Sequence, residues 1–587
     1  MCPPSPALAG NREIAATLTR IARLLWLRGD SSYRILAYEK AAEALAEYPG
    51  SVAQLALQGE LRTLPGVGNA IERAVTEYVR TGRVSLLDEL QEDYPEGIVE
   101  LLALPGLGPR KVRALWENLR VGDVPGLLEA CRAGQVAAIP GMGPRTQERL
   151  LAAAEAAMTN SALHATRWLL GTADPPAERL LQALRGMPSV QVADIAGSIR
   201  RRSSTVKDIN LTAASDSENE VFAAFAALPD VALVERPVAG VLVAATHTGI
   251  PVDLRISPPT SYGNLLQYRT GSTEHNAALY KHAQLHGFTV LQQATEPQLV
   301  GKTIQPFAFV REEGVYRYLG FDWIPPELRD DKGELEAARE GHLPQLVTRR
   351  DLRGDMHVHS VWSDGKATIA EMALAARERG LGYICICDHT RSLAVARGLD
   401  ADRLLQQRAE IDVVNRQLGD DGPLVLAGCE LDILADGTLD LPDDVLAGLD
   451  FVVASIHTSL TQPRKQIMRR LTAAMRNPHV DAIGHPTGRL LLRRPAYDVD
   501  IDQLLTLAAE TGTALEINSS FERLDLPGRI AREGAKLGIR FIISSDAHNP
   551  GGFDLLDYGV GEARRGWLEP RHILNTLPWR DWRKRKI

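Results

Sequence analysis

Nine histidine, aspartate and glutamate residues in the carboxyl-terminal half of the chain could bind metal ions, because nearly all of them end or follow short apolar runs. His357 and His359 open the series, and Asp546 and His548 close it. Residues two apart on a strand point the same way, so each pair can face one cavity. The complete set is His357, His359, Asp364, His389, Glu430, His457, His485, Asp546 and His548.

The mixture of ligand types indicates which chemistry these residues could support. Imidazoles combined with carboxylates suit zinc, manganese or iron, whereas an all-oxygen set favours magnesium or calcium. Nine ligands are too many for one ion, so two or three ions fit better, and clustered metals favour phosphoester hydrolysis. The sequence therefore predicts a metal-dependent hydrolase. Single buried histidines are usually hydrogen-bonded core residues, so His479 and His572 are left out of the set.

The apolar runs that carry these residues predict the elements that position them. Short runs rich in Ile and Val are typical of buried parallel strands, and amphipathic helical segments separate them here. Ligands at the carboxyl ends of successive parallel strands are where a (β/α) barrel builds its active site. The runs are Tyr383–Cys387, Leu424–Cys429, Phe451–Ile456, Asp481–Gly484, Ala514–Asn518 and Phe541–Ser545.

Several short motifs in this region resemble those of the PHP (polymerase and histidinol phosphatase) domain. They are His357-x-His359, Asp364-Gly365, Asp388-His389, Gly428-x-Glu430, Ser455-x-His457, Gly484-His485-Pro486 and Ser545-Asp546-Ala547-His548. The resemblance implies a distorted seven-stranded (β/α) barrel around three metals. It assigns one ion to His357, His359, Glu430 and Asp546, a second to Glu430, His457 and His485, and a third to Asp364, His389 and His548. We expect His357, Glu430 and Asp546 to be essential for catalysis.

Length and composition predict several domains and no membrane segment. At 587 residues the chain is expected to hold three or four domains, and 45% hydrophobic residues are enough for full cores. No apolar run reaches membrane-spanning length, the first residues lack a signal-peptide pattern, and the five cysteines show no paired framework, so we expect a cytoplasmic protein. The net charge of −8 means that any DNA contact must come from local basic patches and backbone amides.

Three segments of the amino-terminal portion repeat the pattern Pro-Gly-x-Gly, within Leu64–Asn69, Leu104–Lys111 and Ile139–Arg145. The glycines permit a tight turn, after which the first N–H groups of the next helix can meet a phosphate. The three copies resemble helix-hairpin-helix motifs, which bind the DNA backbone without reading its sequence. The predicted DNA contacts are Gly66, Gly68, Gly106, Gly108, Arg110, Lys111, Gly141, Gly143 and Arg145.

The middle of the chain carries a further set of motifs. They are Gly197-Ser198-Ile199-Arg200-Arg201, Lys207-Asp208-Ile209-Asn210, Val252-Asp253 and Tyr268-Arg269-Thr270-Gly271-Ser272. Together with the hairpins and the PHP motifs, they resemble a bacterial family X DNA polymerase along essentially the whole chain. The resemblance implies an α+β nucleotidyltransferase palm with a thumb. In it, Gly197, Ser198 and Arg201 would hold a nucleotide triphosphate, and Asp208 and Asp253 would be catalytic metal ligands.

The palm departs from the family at three positions. Asn210 stands where a third metal-binding aspartate is expected, Lys207 replaces a glycine beside the triphosphate, and Arg269 replaces an aromatic residue of the nucleotide pocket. A neutral amide is a poor substitute for a carboxylate that bridges two cations, which argues against a magnesium pair in the palm. The alternative is that the positive charges of Lys207 and Arg269 still hold a nucleotide or a DNA end.

We expect a monomeric DNA-repair enzyme that acts mainly as a metal-dependent 3′–5′ exonuclease or 3′-end phosphoesterase on gapped, nicked or 3′-ended DNA. A gap-filling polymerase that binds deoxynucleoside triphosphates is the alternative, and a DNA-binding scaffold with an idle barrel is a third candidate, against which the intact ligand set argues. The expected domains are a helical domain with the first hairpin at 1–85, a fingers-like helical domain at 86–160, the palm at 161–256, the thumb at 257–329, a linker at 330–350, the PHP domain at 351–575 and a basic tail at 576–587.

Overall fold

The computed structural model describes residues 10–48, 50–95, 97–102, 104, 106–164, 167–234, 240–286, 308–419 and 422–583. By its internal contacts the chain divides into two compact units. The first comprises residues 1–168, 175–195 and 207–259, and the second comprises residues 169–174, 196–206 and 260–587. The segment predicted as the palm therefore contributes to both units. No helix among the described residues is long and apolar enough to cross a membrane.

The amino-terminal region is helical, as predicted. Helix α1 lies at its centre, because Leu18, Ile21 and Leu25 of that helix are almost completely buried in one apolar cluster with the helices around it. The helices are α1 (Asn11–Arg28), α2 (Ser32–Glu47), α3 (Val52–Gln58), α4 (Asn69–Thr81), α5 (Ser85–Asp93), α6 (Ile98–Leu101), α7 (Pro109–Leu119), α8 (Val124–Arg132) and α9 (Pro144–His164).

A five-stranded mixed sheet follows, which confirms the α+β character expected of a palm. Its strand order is β2-β4-β7-β6-β5, with β4 and β7 parallel and the other neighbours antiparallel. In the β4–β7 register Asn210 lies opposite Asp253. The elements are β1 (Trp168–Leu169), α10 (Leu170–Arg185), β2 (Val192–Ile195), α11 (Gly197–Arg200), β3 (Thr205–Val206), β4 (Ile209–Ala214), α12 (Glu218–Ala226), β5 (Val231–Val234), β6 (Val241–Thr246) and β7 (Pro251–Ser257).

The segment predicted as the thumb contains the helices α13 (Tyr262–Thr270), α14 (Thr273–Leu285) and α15 (Glu312–Tyr318), and residues of α14 and α15 form an apolar cluster. Residues 287–307 of the predicted thumb lie outside the described residues. The stretch 330–350, predicted as a linker, contains helix α16 (Glu334–Glu340). Leu335 and Ala338 of α16 join the thumb cluster, and the buried Glu334 carboxylate lies 2.7 Å from Nδ1 of His275.

The carboxyl-terminal region is the predicted distorted (β/α) barrel with seven parallel strands. The strands lie side by side in chain order from β8 to β14, and a bridge between Val358 and Ala547 nearly closes the ring. The elements are β8 (Gly354–Val358), α17 (Ile369–Glu378), β9 (Tyr383–Ile386), α18 (Ala401–Leu418), β10 (Leu424–Asp432), α19 (Asp443–Leu446), β11 (Phe451–Ser455), α20 (Arg464–Met475), β12 (Ala482–Ile483), α21 (Ile501–Thr511), β13 (Ala514–Asn518), α22 (Gly528–Lys536), β14 (Phe541–Ser544), α23 (Leu556–Arg565) and α24 (Trp579–Arg583).

The barrel strands are buried on both faces, which explains why their sequences are continuously apolar. One face packs on the surrounding helices, and the other fills the interior with small and medium side chains that include Met356, Cys385, Leu426 and Val453. The thiols of Cys385 and Cys387 are buried, as predicted. Residues 584–587 of the predicted basic tail lie outside the described residues.

Candidate metal centre

All nine predicted ligands meet at the carboxyl ends of the barrel strands. His357 and Glu430 lie within β8 and β10, and the other ligands lie in the loops that follow the strands. The two most exposed side chains of the set are Asp364 and His548, at 36% and 33%, whereas Glu430 at the centre is only 1% exposed. The cluster therefore opens to solvent on the side of Asp364 and His548.

Five histidines have a ring nitrogen within 4 Å of the Glu430 carboxylate, and its two oxygens face different ones; His359 is the most distant, with Nε2 3.8 Å from Oε2. Oε1 lies 2.9 Å from Nε2 of His485 and 3.1 Å from Nε2 of His457. Oε2 lies 2.8 Å from Nδ1 of His389 and 3.4 Å from Nε2 of His357. A carboxylate in this position can bridge two cations, one on each side.

The remaining ligands form two further groups around this centre. Nε2 of His359 lies 3.0 Å from Oδ1 of Asp546. Asp364 lies 3.4 Å from Nε2 of His548 and 3.6 Å from Nε2 of His389. Three sets have ligand atoms close enough to share an ion: His357, His359 and Asp546; His389, Glu430 and His457; and His359, Asp364, His389 and His548.

The donor atoms fit divalent cations. Two ligands at the usual 2.0–2.1 Å from one zinc ion, at tetrahedral or octahedral angles, lie about 3.0–3.4 Å apart, and several pairs in the cluster have this spacing. Nε2 of His357 and both ring nitrogens of His359 are buried and make no hydrogen bond of adequate geometry with the described residues, although Nε2 of His359 lies 3.0 Å from Oδ1 of Asp546. Buried polar atoms normally have a partner, so these nitrogens fit ligation of a metal ion.

The charges of the cluster are strongly coupled in the metal-free protein. Burial opposes ionisation of Glu430, but His457, His389 and His357 hold its pKa well below the usual range. Burial also disfavours the imidazolium form of His389, yet Glu430 and Asp364 outweigh burial and raise its pKa to about 10. Without a metal, the protonated histidines supply the positive charge that stabilises the carboxylates. A bound cation would supply that charge instead, because metal ligation requires neutral imidazole.

Two ligands have a strained backbone. Asp546 has φ 57° and His485 has φ 28°, in the left-handed region that side chains with a Cβ rarely adopt. Such conformations cost on the order of 1–3 kcal/mol each and persist mainly where the surrounding structure imposes them, often at functional sites. Here the strain places both side chains in the cluster.

Three polar residues behind the ligands were not predicted from the sequence. Oε1 of Glu516 lies 2.8 Å from Nδ1 of His357, and Oδ1 of Asp432 lies 2.9 Å from Nδ1 of His457. Asn518 donates from Nδ2 to Asp546 over 3.1 Å. The signal was present, because Glu516 and Asn518 are the polar members of the apolar run Ala514–Asn518, and Asp432 follows Glu430 by two residues on one strand.

Asp388, although part of the Asp388-His389 motif, supports a loop rather than the metal cluster. Its carboxylate accepts hydrogen bonds from the backbone N–H of Ser360 over 2.8 Å and from Nε2 of Gln407 over 2.5 Å. The loop it fixes carries Asp364 and turns at Gly365, where a Cβ would approach the backbone carbonyl carbon of Ser360 to 2.6 Å. Glycine is therefore required beside the ligand Asp364.

The palm carboxylates of the first unit are engaged by neighbouring side chains. Nδ2 of Asn210 donates to Oδ1 of Asp208 over 2.5 Å. Nε and Nη2 of Arg255 lie 2.9 Å and 3.3 Å from the two oxygens of Asp253. Asn210 thus supplies a hydrogen-bond donor where a third carboxylate would attract a cation.

The predicted triphosphate residues belong to the second unit. Gly197 and Ser198 begin helix α11, and Gly197 has φ 62°. Nη1 of Arg201 donates to the carbonyl oxygen of Thr270 over 2.5 Å, and Nε lies 3.9 Å from Asp330. Burial lowers the pKa of Arg201. Its guanidinium is therefore tied to the protein itself.

The three predicted hairpins share one geometry. The first glycine of each turn has a left-handed backbone, with φ of 80° at Gly66, 87° at Gly106 and 83° at Gly141. The residues between the glycines, Val67, Leu107 and Met142, are buried and anchor the turns. The second glycines, Gly68, Gly108 and Gly143, directly precede helices α4, α7 and α9. Arg110 and Arg145 are exposed, whereas Nζ of Lys111 donates to the carbonyl oxygen of Gly106 over 3.0 Å.

Family models match four parts of the chain. A helix-hairpin-helix domain matches residues 9–84, and a SAM-like helix-hairpin-helix tandem matches residues 98–156. The DNA polymerase beta thumb matches residues 265–330, and the PHP domain matches residues 355–520.

Curated relatives match either nearly the whole chain or about a third of it. The DNA polymerase/3′-5′ exonuclease PolX of Bacillus subtilis is 37% identical over 575 residues, which are 97% of this chain and 98% of the relative. A probable phosphatase of a Thermoanaerobacter species is 34% identical over 33% of this chain and 78% of its own length. A probable phosphatase of Caldicellulosiruptor saccharolyticus is 33% identical over 34% of this chain and 80% of its own length.

Proposed function

Because the chain belongs to the bacterial PolX family of DNA polymerases, we propose that it is a DNA-repair enzyme whose main activity is hydrolysis of 3′-terminal phosphodiesters at the barrel. The observation that carries this proposal is the convergence of the nine candidate ligand side chains, with Glu430 at their centre. The names of the relatives support it, since the PolX of Bacillus subtilis is called a DNA polymerase/3′-5′ exonuclease and the relatives that match about a third of the chain are called probable phosphatases.

The nine ligands would hold two or three divalent cations, which we propose to be manganese, zinc or iron. When bound, the metals supply a hydroxide near neutral pH and positive charge at the departing 3′ oxygen. Glu516 and Asp432 accept hydrogen bonds from Nδ1 of His357 and His457, which leaves Nε2 of each ring with a lone pair aimed into the cluster. These two carboxylates thereby fix the tautomer that a metal ligand needs.

The scissile phosphate would enter from the side of Asp364 and His548, the most exposed ligands. Two arginines in the loops after β9 and β12, Arg391 and Arg493, have side chains that are 67% and 68% exposed and could reach DNA phosphates. Each also pairs with a carboxylate of the protein, Asp440 over 3.5 Å and Glu522 over 3.3 Å respectively. Arg489 is instead committed to the protein, because it donates to the backbone carbonyl groups of Arg523 and Leu524.

We propose that polymerase activity is weak or lost. Two-metal phosphoryl transfer needs carboxylates with free oxygens. In the palm, Asp208 accepts from Asn210 and Asp253 is paired with Arg255. The second candidate function, gap filling, is favoured by the exposed positive charge of Lys207, which could attract a deoxynucleoside triphosphate.

DNA is the partner that the helix-hairpin-helix matches and the thumb match indicate. Backbone amides at three hairpins bind phosphates without reading bases, so the substrate is selected by its ends rather than by its sequence. We propose that a single copy of the chain suffices, because hairpins and barrel are both present in it.

One assay tests the proposal and its alternative together. End-labelled primer–template is incubated with the full chain and manganese, with and without deoxynucleoside triphosphates. We expect the primer to shorten in both reactions, and Glu430→Ala to abolish the shortening. Efficient templated extension by the unmodified protein would contradict the loss of polymerase activity, and shortening that survives Glu430→Ala would show that the hydrolysis occurs elsewhere.

A further inference from the structure

A groove of about 650 Å³ lies beside the second hairpin in the first unit. Its walls come from the end of α1 and from the start of α7, and they include Trp26, Gly29, Gly108, Arg110, Lys111 and Arg113. The hairpin turn itself is the phosphate-binding feature already described. The indole of Trp26 is a separate feature, and no DNA contact has so far been assigned to it.

Trp26 is 44% exposed although it lies in the best-buried helix of its unit. Its neighbours Leu24, Leu25 and Leu27 are at most 1% exposed, so α1 is firmly packed and the indole is not exposed by loose packing. A large aromatic ring left partly in water forgoes part of the free energy that its burial would contribute. An aromatic face presented in this way beside a phosphate-binding turn suits stacking on a nucleic-acid base.

The charges around the groove also favour a nucleic-acid ligand. Arg110, Lys111 and Arg113 line it, and no acidic side chain of the described residues does so. The guanidinium of Arg113 lies over Gly29, since its Nη1 would be 3.9 Å from a Cβ at that position. Gly29 leaves this space open. The same groove is thus lined by an aromatic side chain and by cationic side chains.

The other hairpin glycines have different surroundings. A Cβ at Gly66 of the first hairpin would face Lys40 and Ala41 of α2, and a Cβ at Gly141 of the third would meet open space within 4 Å. At Gly106 of the second hairpin a Cβ would instead lie 2.9 Å from Nη2 of Arg149, so the three turns differ in what surrounds them.

We infer that this groove binds an unstacked nucleotide of single-stranded DNA, with the base on the indole of Trp26 and the phosphate held by Arg110 and Arg113. Fully paired DNA cannot supply such a base, so the groove favours flaps, frayed ends and gaps over intact duplex. The inference rests on the proposed function only in taking DNA as the ligand, and it does not depend on hydrolysis at the barrel.

The test measures binding of the full chain to short single strands with uncleavable phosphorothioate linkages. One strand carries bases, a second carries stable abasic analogues, and a blunt duplex is the third probe. Trp26→Leu is expected to weaken binding of the base-bearing strand by about 5- to 150-fold, which corresponds to a stacking energy of about 1–3 kcal/mol. Binding of the abasic strand and of the duplex should change by less than about 2-fold, since neither offers an unstacked base. Trp26→Phe, which keeps an aromatic face, should retain most of the affinity.

Control variants outside the groove separate the effects of stacking and charge from a general loss of stability or folding. Leu57→Ala, at a side chain that is 50% exposed on α3, should leave all three probes unaffected. Arg113→Ala should weaken both single strands, whereas Arg83→Ala, whose side chain is 75% exposed and paired with Asp88, should not. The inference is overturned if Trp26→Leu keeps the wild-type preference for bases over abasic sites, or if it weakens duplex binding equally. Failure of the barrel to hydrolyse DNA would leave these binding results intact.

Discussion

Glu516 and His357 are joined across the interior of the barrel, with Oε1 of the carboxylate 2.8 Å from Nδ1 of the imidazole. The other oxygen of Glu516 accepts a hydrogen bond from the backbone N–H of His485 over 2.6 Å. One buried carboxylate on β13 therefore orients a candidate ligand within β8 and another that follows β12. Residues that hold metal ligands in this way contribute to metal affinity without touching the ion.

We expect Glu516→Gln to lower metal affinity by about 10- to 100-fold, since a neutral amide holds the tautomer and orientation of His357 less firmly. Competition with a chromogenic chelator measures this directly. Glu533→Gln, at an exposed carboxylate paired with Lys536 on α22, is the matched control and should bind metal like the unmodified protein. Equal affinity in both variants would rule out a positioning role for Glu516.

Glu430 should matter more than any ligand that binds a single ion. Glu430→Ala is expected to abolish nuclease activity and to lower the metal content by more than one equivalent. His357→Ala should remove chiefly one metal while also stopping catalysis, because the remaining ions cannot position the attacking hydroxide. Elemental analysis beside a nuclease assay decides the matter. Full metal occupancy in Glu430→Ala would refute the bridging assignment, and His479→Ala should leave both readouts nearly unchanged.

The hairpin contacts should appear in the salt dependence of DNA binding. Each phosphate contact that is lost reduces the slope of log K against log salt by about 0.9 for duplex DNA. Replacing Arg110, Lys111 and Arg145 together by alanine should therefore reduce the slope by up to about 2.7 and weaken binding of all sequences alike. Hydrolysis of a small generic phosphoester should stay unchanged. A triple variant with the wild-type slope would place the DNA elsewhere.

Restoring the palm should require several changes at once. Asn210→Asp alone is expected to give little primer extension, because Lys207 and Arg269 remain. We expect a variant with aspartate at 210, glycine at 207 and phenylalanine at 269 to regain templated extension with magnesium or manganese. Strong extension by Asn210→Asp alone would show that the lost carboxylate is the whole defect.

The thumb should show an acid-dependent stability that Glu312 controls. Burial opposes its ionisation, but Arg329 and Arg200 lower its pKa from the ordinary 4.5 to about 2. A carboxyl whose pKa is lower in the folded state contributes stability above pH 4.5, and this contribution is lost as pH falls from there towards 2. Glu312→Gln should reduce the free energy of unfolding at neutral pH by about 3 kcal/mol, because it leaves the fully buried Arg329 without its ion pair. The same variant should flatten the acid dependence in urea titrations, and the exposed Glu336→Gln should change neither.

The sequence predicted what is determined locally and missed what tertiary contacts determine. The apolar runs and the candidate ligands at their ends are local patterns, so the strands and the meeting of these nine side chains at one end of the barrel could be predicted. The role of Glu516 could not, since it depends on a contact between residues 159 positions apart. Helix α16 was not predicted for the same reason. Its buried Glu334 pairs with His275, which lies 59 residues earlier in the chain. The pairing of Asp253 with Arg255 is a local contact that the sequence analysis nevertheless missed. Residues two apart on a strand share one face, so this ion pair could have been predicted from the sequence.

The barrel strands lie side by side in the order in which they occur along the chain, from β8 to β14. As a result, one uninterrupted stretch of gene, from the codon of His357 to that of His548, encodes every candidate ligand together with Glu516, Asp432 and Asn518. A single recombination event can transfer this stretch into another gene without separating these residues from one another. The catalytic centre is heritable as one piece, and its host can change while its chemistry stays the same.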